Sequence, residues 1–305
     1  MLSAWDLFKY RILIPIAFFF LTQQRKKLNK QPFFIIGSGR NGSTLLAGLL
    51  NNHSGIFIPP EQHKVPYHLF IWRIKFWKSR KEKAKNLIKA LSKNSQWDFE
   101  PNSTLKYVKE TTDLTFNSLI EQIYVAFAKQ KKGEDYIGIW GDKTPLQTHF
   151  IRNIGNEFPH AKFIYLTRDP RAVVSSYRKM INHPASNMKY AIWKWKDSHR
   201  QFNLLRKKGS SVLIIKYESL VSNPKNILAQ VIAFLGLDLE EDIWRNKGSL
   251  TKMGVSSQAH HQNLKNPVNS ASLRKWKIEL SSEDCDHILR KCSSEMVELG
   301  YKVTE

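Results

Sequence analysis

The sequence predicts an α/β protein: a single-domain, P-loop-like parallel sheet flanked by helices, with a helical insertion on the substrate side. Three observations carry this. Phe33-Phe34-Ile35-Ile36 is a continuous apolar run ending on glycine, the pattern of a strand buried on both faces. Similar runs recur along the chain, each leading into a polar cluster and then a stretch with helical spacing. The chain has 305 residues, 42% apolar and 12% aromatic, enough to bury a large core.

Residues 1–30 read apart from the rest. Ile12 to Leu21 is apolar, with Lys9 and Arg11 before it and Arg25, Lys26, Lys27 and Lys30 after it. A spanning helix needs about 20 apolar residues; this run is shorter, contains Pro15, and is followed by no small-residue cleavage site. The expectation is an anchor lying in a membrane interface, held by its basic flanks, with a short signal-anchor or a plain packed helix as the alternatives. That leaves the chain cytoplasmic or membrane-associated, with one catalytic domain over residues 31–305.

From residue 33 the elements follow in order. A Gly-rich turn leads into a helix from about Ser43 to Asn51, and Ile56-Phe57-Ile58 before Pro59-Pro60 reads as a second strand. From Val65 to Lys93, aromatics alternate with Lys and Arg at helical spacing, which predicts a helical insertion with one basic face. Trp72, Arg73, Lys75, Phe76, Trp77, Lys78, Arg80 and Lys81 would offer stacking surfaces and cations there; the same stripe also fits aromatics in the core and lysines in water. Tyr136 to Trp140 is a strand leading into Gly141-Asp142-Lys143-Thr144-Pro145, and Lys162 to Thr167 is a strand leading into Arg168-Asp169-Pro170-Arg171 and a helix. Val212 to Lys216 is a strand before Tyr217-Glu218, and Asn223-Pro224 starts a helix running to about Leu235. In a doubly wound sheet, ligands bind beyond the carboxyl ends of the strands, where all these polar clusters fall. Cys285 and Cys292 lie seven residues apart on an expected helix, about 10 Å by helical rise, so they are read as free thiols.

Forty-eight Lys and Arg against 26 Asp and Glu give a net charge of +22, which favours anionic partners. Solubility alone explains the same charge. Gly37-Ser38-Gly39-Arg40-Asn41-Gly42-Ser43-Thr44 spaces its glycines like a strand-loop-helix element that wraps phosphate in backbone N–H groups. Ser43 stands where nucleotide triphosphatases place lysine, which argues against ATP or GTP hydrolysis. Arg40 supplies positive charge inside the loop.

This loop resembles the 5′-phosphosulfate loop of the sulfotransferase superfamily, in which a basic residue, any residue, Gly, Ser or Thr, and Thr recur in order. A second motif agrees: Arg168 at a strand end and Ser176 eight residues later match the family's 3′-phosphate site. Tyr217-Glu218, Asn223-Pro224 and Phe234-Leu235-Gly236 are similar to a segment whose tyrosine lies near the adenine. Pro267-Val268-Asn269 and Arg274-Lys275-Trp276 resemble a C-terminal strap that closes on the cofactor. The resemblance spans most of residues 33 to 280 and is nearest in motif to the tyrosylprotein and carbohydrate types. It implies 3′-phosphoadenosine 5′-phosphosulfate as donor, held by Gly39, Arg40, Asn41, Gly42, Ser43, Thr44, Arg168, Ser176, Tyr217 and Lys275, with no metal. It also implies Glu61 as general base, with His63 as rival, and Lys143 and Arg40 as the cations opposite the leaving group. The expected acceptor is a carbohydrate or glycolipid hydroxyl, with peptide tyrosine and a lipid alcohol still open. A P-loop kinase or triphosphatase and a basic non-catalytic nucleic-acid-binding protein are the competing classes; no zinc-ligand spacing or RNA-recognition signature supports the latter.

Overall fold

The computed structural model describes residues 25–75, 77–93, 97–180, 183–245 and 273–303. The apolar run at Ile12 to Leu21, Phe76, and Pro267-Val268-Asn269 of the expected strap lie outside the described residues. Among the described residues, no helix is long and apolar enough to cross a membrane.

Five parallel strands form one sheet. They are β1 (Phe33–Ile36), β2 (Ile56–Phe57), β3 (Ile139–Asp142), β4 (Lys162–Thr167) and β5 (Ser211–Lys216), ordered β2-β3-β1-β4-β5. The centre is pinned by β1 against β4, with Phe33 opposite Lys162 and Ile36 opposite Tyr165. Side chains alternate between faces as strand geometry requires. Phe34, Ile36, Phe163 and Tyr165 enter one buried cluster, while Phe33, Ile35, Ile164 and Leu166 enter the other. Each fully buried side chain of this size contributes about 1.5–3 kcal/mol, so β1 is held from both sides.

The helices are α1 (Ser43–Leu50), α2 (Lys64–Ile74), α3 (Arg80–Ser92), α4 (Asn102–Glu110), α5 (Phe116–Lys132), α6 (Ile151–Glu157), α7 (Pro170–Arg178), α8 (Met188–Lys207), α9 (Tyr217–Ser222), α10 (Pro224–Leu235), α11 (Trp276–Glu279) and α12 (Ser282–Glu298). A 3₁₀ segment, Pro145–Phe150, follows β3. Local chemistry sets several starts. The Asp169 side chain accepts from the Arg171 N–H with Pro170 as first residue of α7, and Asn223 accepts from the Asn226 N–H ahead of α10. Gly236 ends α10 in the left-handed conformation. Cys285 and Cys292 are buried free thiols on α12, as the spacing predicts.

One expectation needs correction, and one choice left open is decided. The strand expected from Tyr136 begins at Ile139. Gly138 packs so tightly on Gly55 that a Cβ would lie 2.3 Å from its carbonyl oxygen, and the Tyr136 hydroxyl bonds to the Gly55 and Ile139 carbonyls, closing a turn instead. The insertion is helical, and Trp72 follows the reading that puts aromatics in the core, with Arg73 buried beside it. Arg73 forms a buried ion pair with Glu157 on α6, and Trp72 packs on Phe116. Trp77 remains exposed, at 67%.

Candidate active site

The loop over residues 37–44 turns directly off β1 and is tied to its surroundings at Gly37, Ser38 and Asn41. The Gly37 N–H donates to Thr148 Oγ1 at 2.9 Å, and that hydroxyl donates back to the Gly37 carbonyl at 3.0 Å. The Asn41 amide donates to the Leu166 carbonyl on β4, and the Tyr177 hydroxyl donates to the Ser38 carbonyl at 2.7 Å. Two glycines are needed for close approach. At Gly39 (φ 76°) a Cβ would fall 2.4 Å from the Tyr177 hydroxyl, and at Gly42 (φ 88°) 2.3 Å from the Tyr217 ring. Arg40 also takes a positive φ, 55°, which costs a non-glycine residue on the order of 1–3 kcal/mol.

Among the described residues, the backbone N–H groups from Gly39 to Thr44 find no hydrogen-bond acceptor. Such an array at the start of a helix is a preformed anion site.

The structure brings Arg168 and Ser176 to this loop. The Ser176 hydroxyl accepts from Arg40 Nε at 3.1 Å, and Arg168 Nη1 donates to the Arg40 carbonyl at 3.0 Å. Tyr217 lies beneath both, its ring 4.3 Å from the Arg168 guanidinium and against Gly42. The Trp195 indole fixes Arg168 from behind, donating to its carbonyl at 2.8 Å. Burial lowers the Arg40 pKa, and nearby Arg168 adds to that effect, while Tyr177 and Glu61 oppose it.

A second group meets the loop from the β3 end. Lys143, buried, places Nζ 3.3 Å from Thr44 Oγ1 and 2.5 Å from Glu61 Oε1. Glu61 is half-buried with its side chain 32% exposed, whereas His63 is exposed at the start of α2. Beneath them Asp142 takes hydrogen bonds from Tyr124 and from Gln62 Nε2, the latter at 3.3 Å, and the Gln62 N–H donates to Thr144 Oγ1 at 3.2 Å. Burial pushes the Asp142 carboxyl upward against those hydrogen bonds and pushes the Tyr124 phenol well above its ordinary value.

Arg40, Asn41, Gly42, Ser43, Thr44, Glu61, Lys143, Arg168, Ser176 and Tyr217 thus converge. Lys275 does not join them: it is exposed beside α11, and none of its described contacts is with the loop. Sequence reading missed Thr148, Tyr177 and Trp195, which shape the loop from outside, and Lys194 on α8. Tyr177 adjoins Ser176, and Lys194 lies in Trp193-Lys194-Trp195-Lys196, but neither local pattern separates a buried polar residue from a solvated helix face.

Similarity to known proteins runs over much of the chain. The family model described as "Sulfotransferase family" matches residues 32–241. Carbohydrate sulfotransferase 1 from Danio rerio is 26% identical over 167 residues, covering 46% of this chain and 38% of that protein. Protein-tyrosine sulfotransferase 1 from Danio rerio is 25% identical over 281 residues, covering 88% of this chain and 71% of that protein. Among solved structures, the sulfotransferase domain from the Synechococcus PCC 7002 olefin synthase superposes with a TM-score of 0.60 at 22% identity, covering 92% of this chain and 99% of that one, a likeness of fold.

Proposed function

This chain belongs to the sulfotransferase family, and from that premise we propose that it moves a sulfonyl group from 3′-phosphoadenosine 5′-phosphosulfate to a hydroxyl of a carbohydrate or glycolipid. The observation that carries the donor assignment is the unused row of backbone donors from Gly39 to Thr44, held against both Arg40 and Arg168. That array fits a 5′-phosphosulfate, and Arg168 with Ser176 fits the 3′-phosphate. Bound there, the donor supplies an electrophilic sulfur and a phosphate leaving group.

The chain's own residues divide the remaining work. Glu61 accepts the proton of the acceptor hydroxyl as that oxygen bonds to sulfur. Lys143 donates to the oxygen released when the old sulfur–oxygen bond breaks, since its position between Thr44 and Glu61 puts one cation at the meeting of loop and base. The loop N–H groups and Arg40 stabilise the phosphate as its charge grows. Asp142, Tyr124 and Gln62 hold the segment that carries Glu61 and Lys143.

The preference for a carbohydrate rests on the net charge of +22 and on the exposed Trp77 between Lys75 and Lys78. Trp77 follows the end of α2, which starts three residues after Glu61, about 16 Å of helical rise from the site. Peptide tyrosine is the second reading, favoured by the longer alignment with the protein-tyrosine enzyme. Incubation with ³⁵S-labelled donor and parallel panels of glycans and tyrosine peptides tests both. Label on glycans supports the first reading, label on peptides replaces it with the second, and label on neither contradicts both acceptors.

A further inference from the structure

Lys194 stands on α8, whose start is fixed by Asn187 Oδ1 accepting from the Lys189 N–H at 2.9 Å. Its next neighbour, Trp195, buttresses Arg168. The Lys194 side chain is turned inward and only 9% of the residue is exposed. Its Nζ lies 5.1 Å from the centroid of the Tyr177 ring, the same tyrosine whose hydroxyl holds the Ser38 carbonyl of the loop. Among the described residues, the ammonium has no hydrogen-bond acceptor and no ion-pair partner.

The stem is buried but Nζ is not a sealed atom, so the ammonium opens onto accessible space with the Tyr177 face as its described neighbour, a contact worth about 0.5–2 kcal/mol. Burial lowers the Lys194 pKa, with Tyr190 and Glu61 opposing it. The tyrosine contact sets the ammonium beside the ring that bonds the loop at Ser38, while Lys143 bridges Thr44 and Glu61 from the β3 side.

We propose that Lys194 is a donor-binding residue that holds the non-bridging oxygens of the sulfonyl group, approaching from the Tyr177 side. The inference rests on the donor assigned above. The sulfonyl is the anion that must lie between the phosphate loop and the base, and Lys194 is the cation resting on the tyrosine that holds the loop. Its role differs from that of Arg168, which serves the part of the nucleotide shared by donor and spent product.

Calorimetric titration of wild-type chain and Lys194→Met with the phosphosulfate donor and with adenosine 3′,5′-bisphosphate, no acceptor present, tests this. The substitution is expected to weaken the phosphosulfate at least tenfold and to leave the bisphosphate within about twofold. The melting temperature of the free chain should stay close to that of wild type, because the ammonium gives up only the contact with the Tyr177 ring. Equal loss for both nucleotides would overturn the proposal and make Lys194 a prop for Tyr177 and the loop. No loss for either would also overturn it and give the ammonium to something other than the donor. A wild-type chain that binds neither nucleotide would overturn the donor assignment itself, a result distinct from the other two.

Discussion

Lys143 joins the phosphate loop to Glu61: its Nζ lies 3.3 Å from Thr44 Oγ1 and 2.5 Å from Glu61 Oε1. If Glu61 is the base, Glu61→Gln lowers turnover by about 100-fold or more while nucleotide affinity stays nearly constant. Lys143→Met is expected to cost roughly 2.7–4 kcal/mol of transition-state stabilisation. Initial rates with the best acceptor, paired with calorimetry on the bisphosphate, separate these effects. Near-normal turnover in Glu61→Gln would transfer the role, and exposed His63 is the next residue to replace.

Gly42→Ala should disable the loop without touching any charged group. The new methyl would fall 2.3 Å from the Tyr217 ring at a backbone φ of 88°. We expect a loss of about 1–3 kcal/mol in stability and loss of bisphosphate binding, because Tyr217 also supports Arg168. Chemical denaturation and calorimetry on the same preparation measure both. Unchanged binding would show that loop and ring can separate freely.

The parts of this site that were legible in the sequence are those set by local pattern. The run Lys162 to Thr167 is a strand to the residue, and Asn223-Pro224 starts a helix where the cap chemistry places it. Arg168 and Ser176 reach Arg40 because a strand end and the second turn of the next helix always face the same rim. What stayed hidden depends on distant partners. Helical spacing cannot show that Arg73 meets Glu157, 84 residues later, rather than water. Nor does Trp193-Lys194-Trp195-Lys196 reveal that Lys194 is buried on Tyr177 while Lys196 pairs with Glu295 near the surface.

The Arg73–Glu157 pair links the insertion to α6, with both side chains buried. Removing one partner leaves a buried charge without its main counter-ion. Glu157→Ala is therefore expected to cost roughly 3–5 kcal/mol in urea unfolding, and the double substitution to two methionines much less. A single-variant loss below 1 kcal/mol would show that water reaches the site.

Arg178 on α7 donates to Asp284 on α12 at 2.6 Å, and this hydrogen bond holds the Asp284 carboxyl down to about 2 from an ordinary 3.8. A depressed carboxyl stabilises the fold above its unfolded pKa and loses that contribution as pH falls from about 4 toward 2. The pair is partly exposed, so solvent screening limits the effect to about 0.5–1 kcal/mol. Asp284→Asn should be less stable than wild type by that amount at pH 7, with the difference closing near pH 2. A constant difference across this range would assign the effect to packing.

The central claim is that loop and strand-end arginine together bind a 3′,5′-bisphosphate nucleotide. Its most direct test is calorimetric titration with adenosine 3′,5′-bisphosphate, ATP and AMP at one salt concentration, in wild type and Arg168→Ala. The account predicts clear preference for the bisphosphate and a loss of about 1.5–3 kcal/mol in the variant, whose fold is retained because Trp195 bonds the main chain there. Equal affinity for ATP, or bisphosphate binding unchanged in Arg168→Ala, would contradict it.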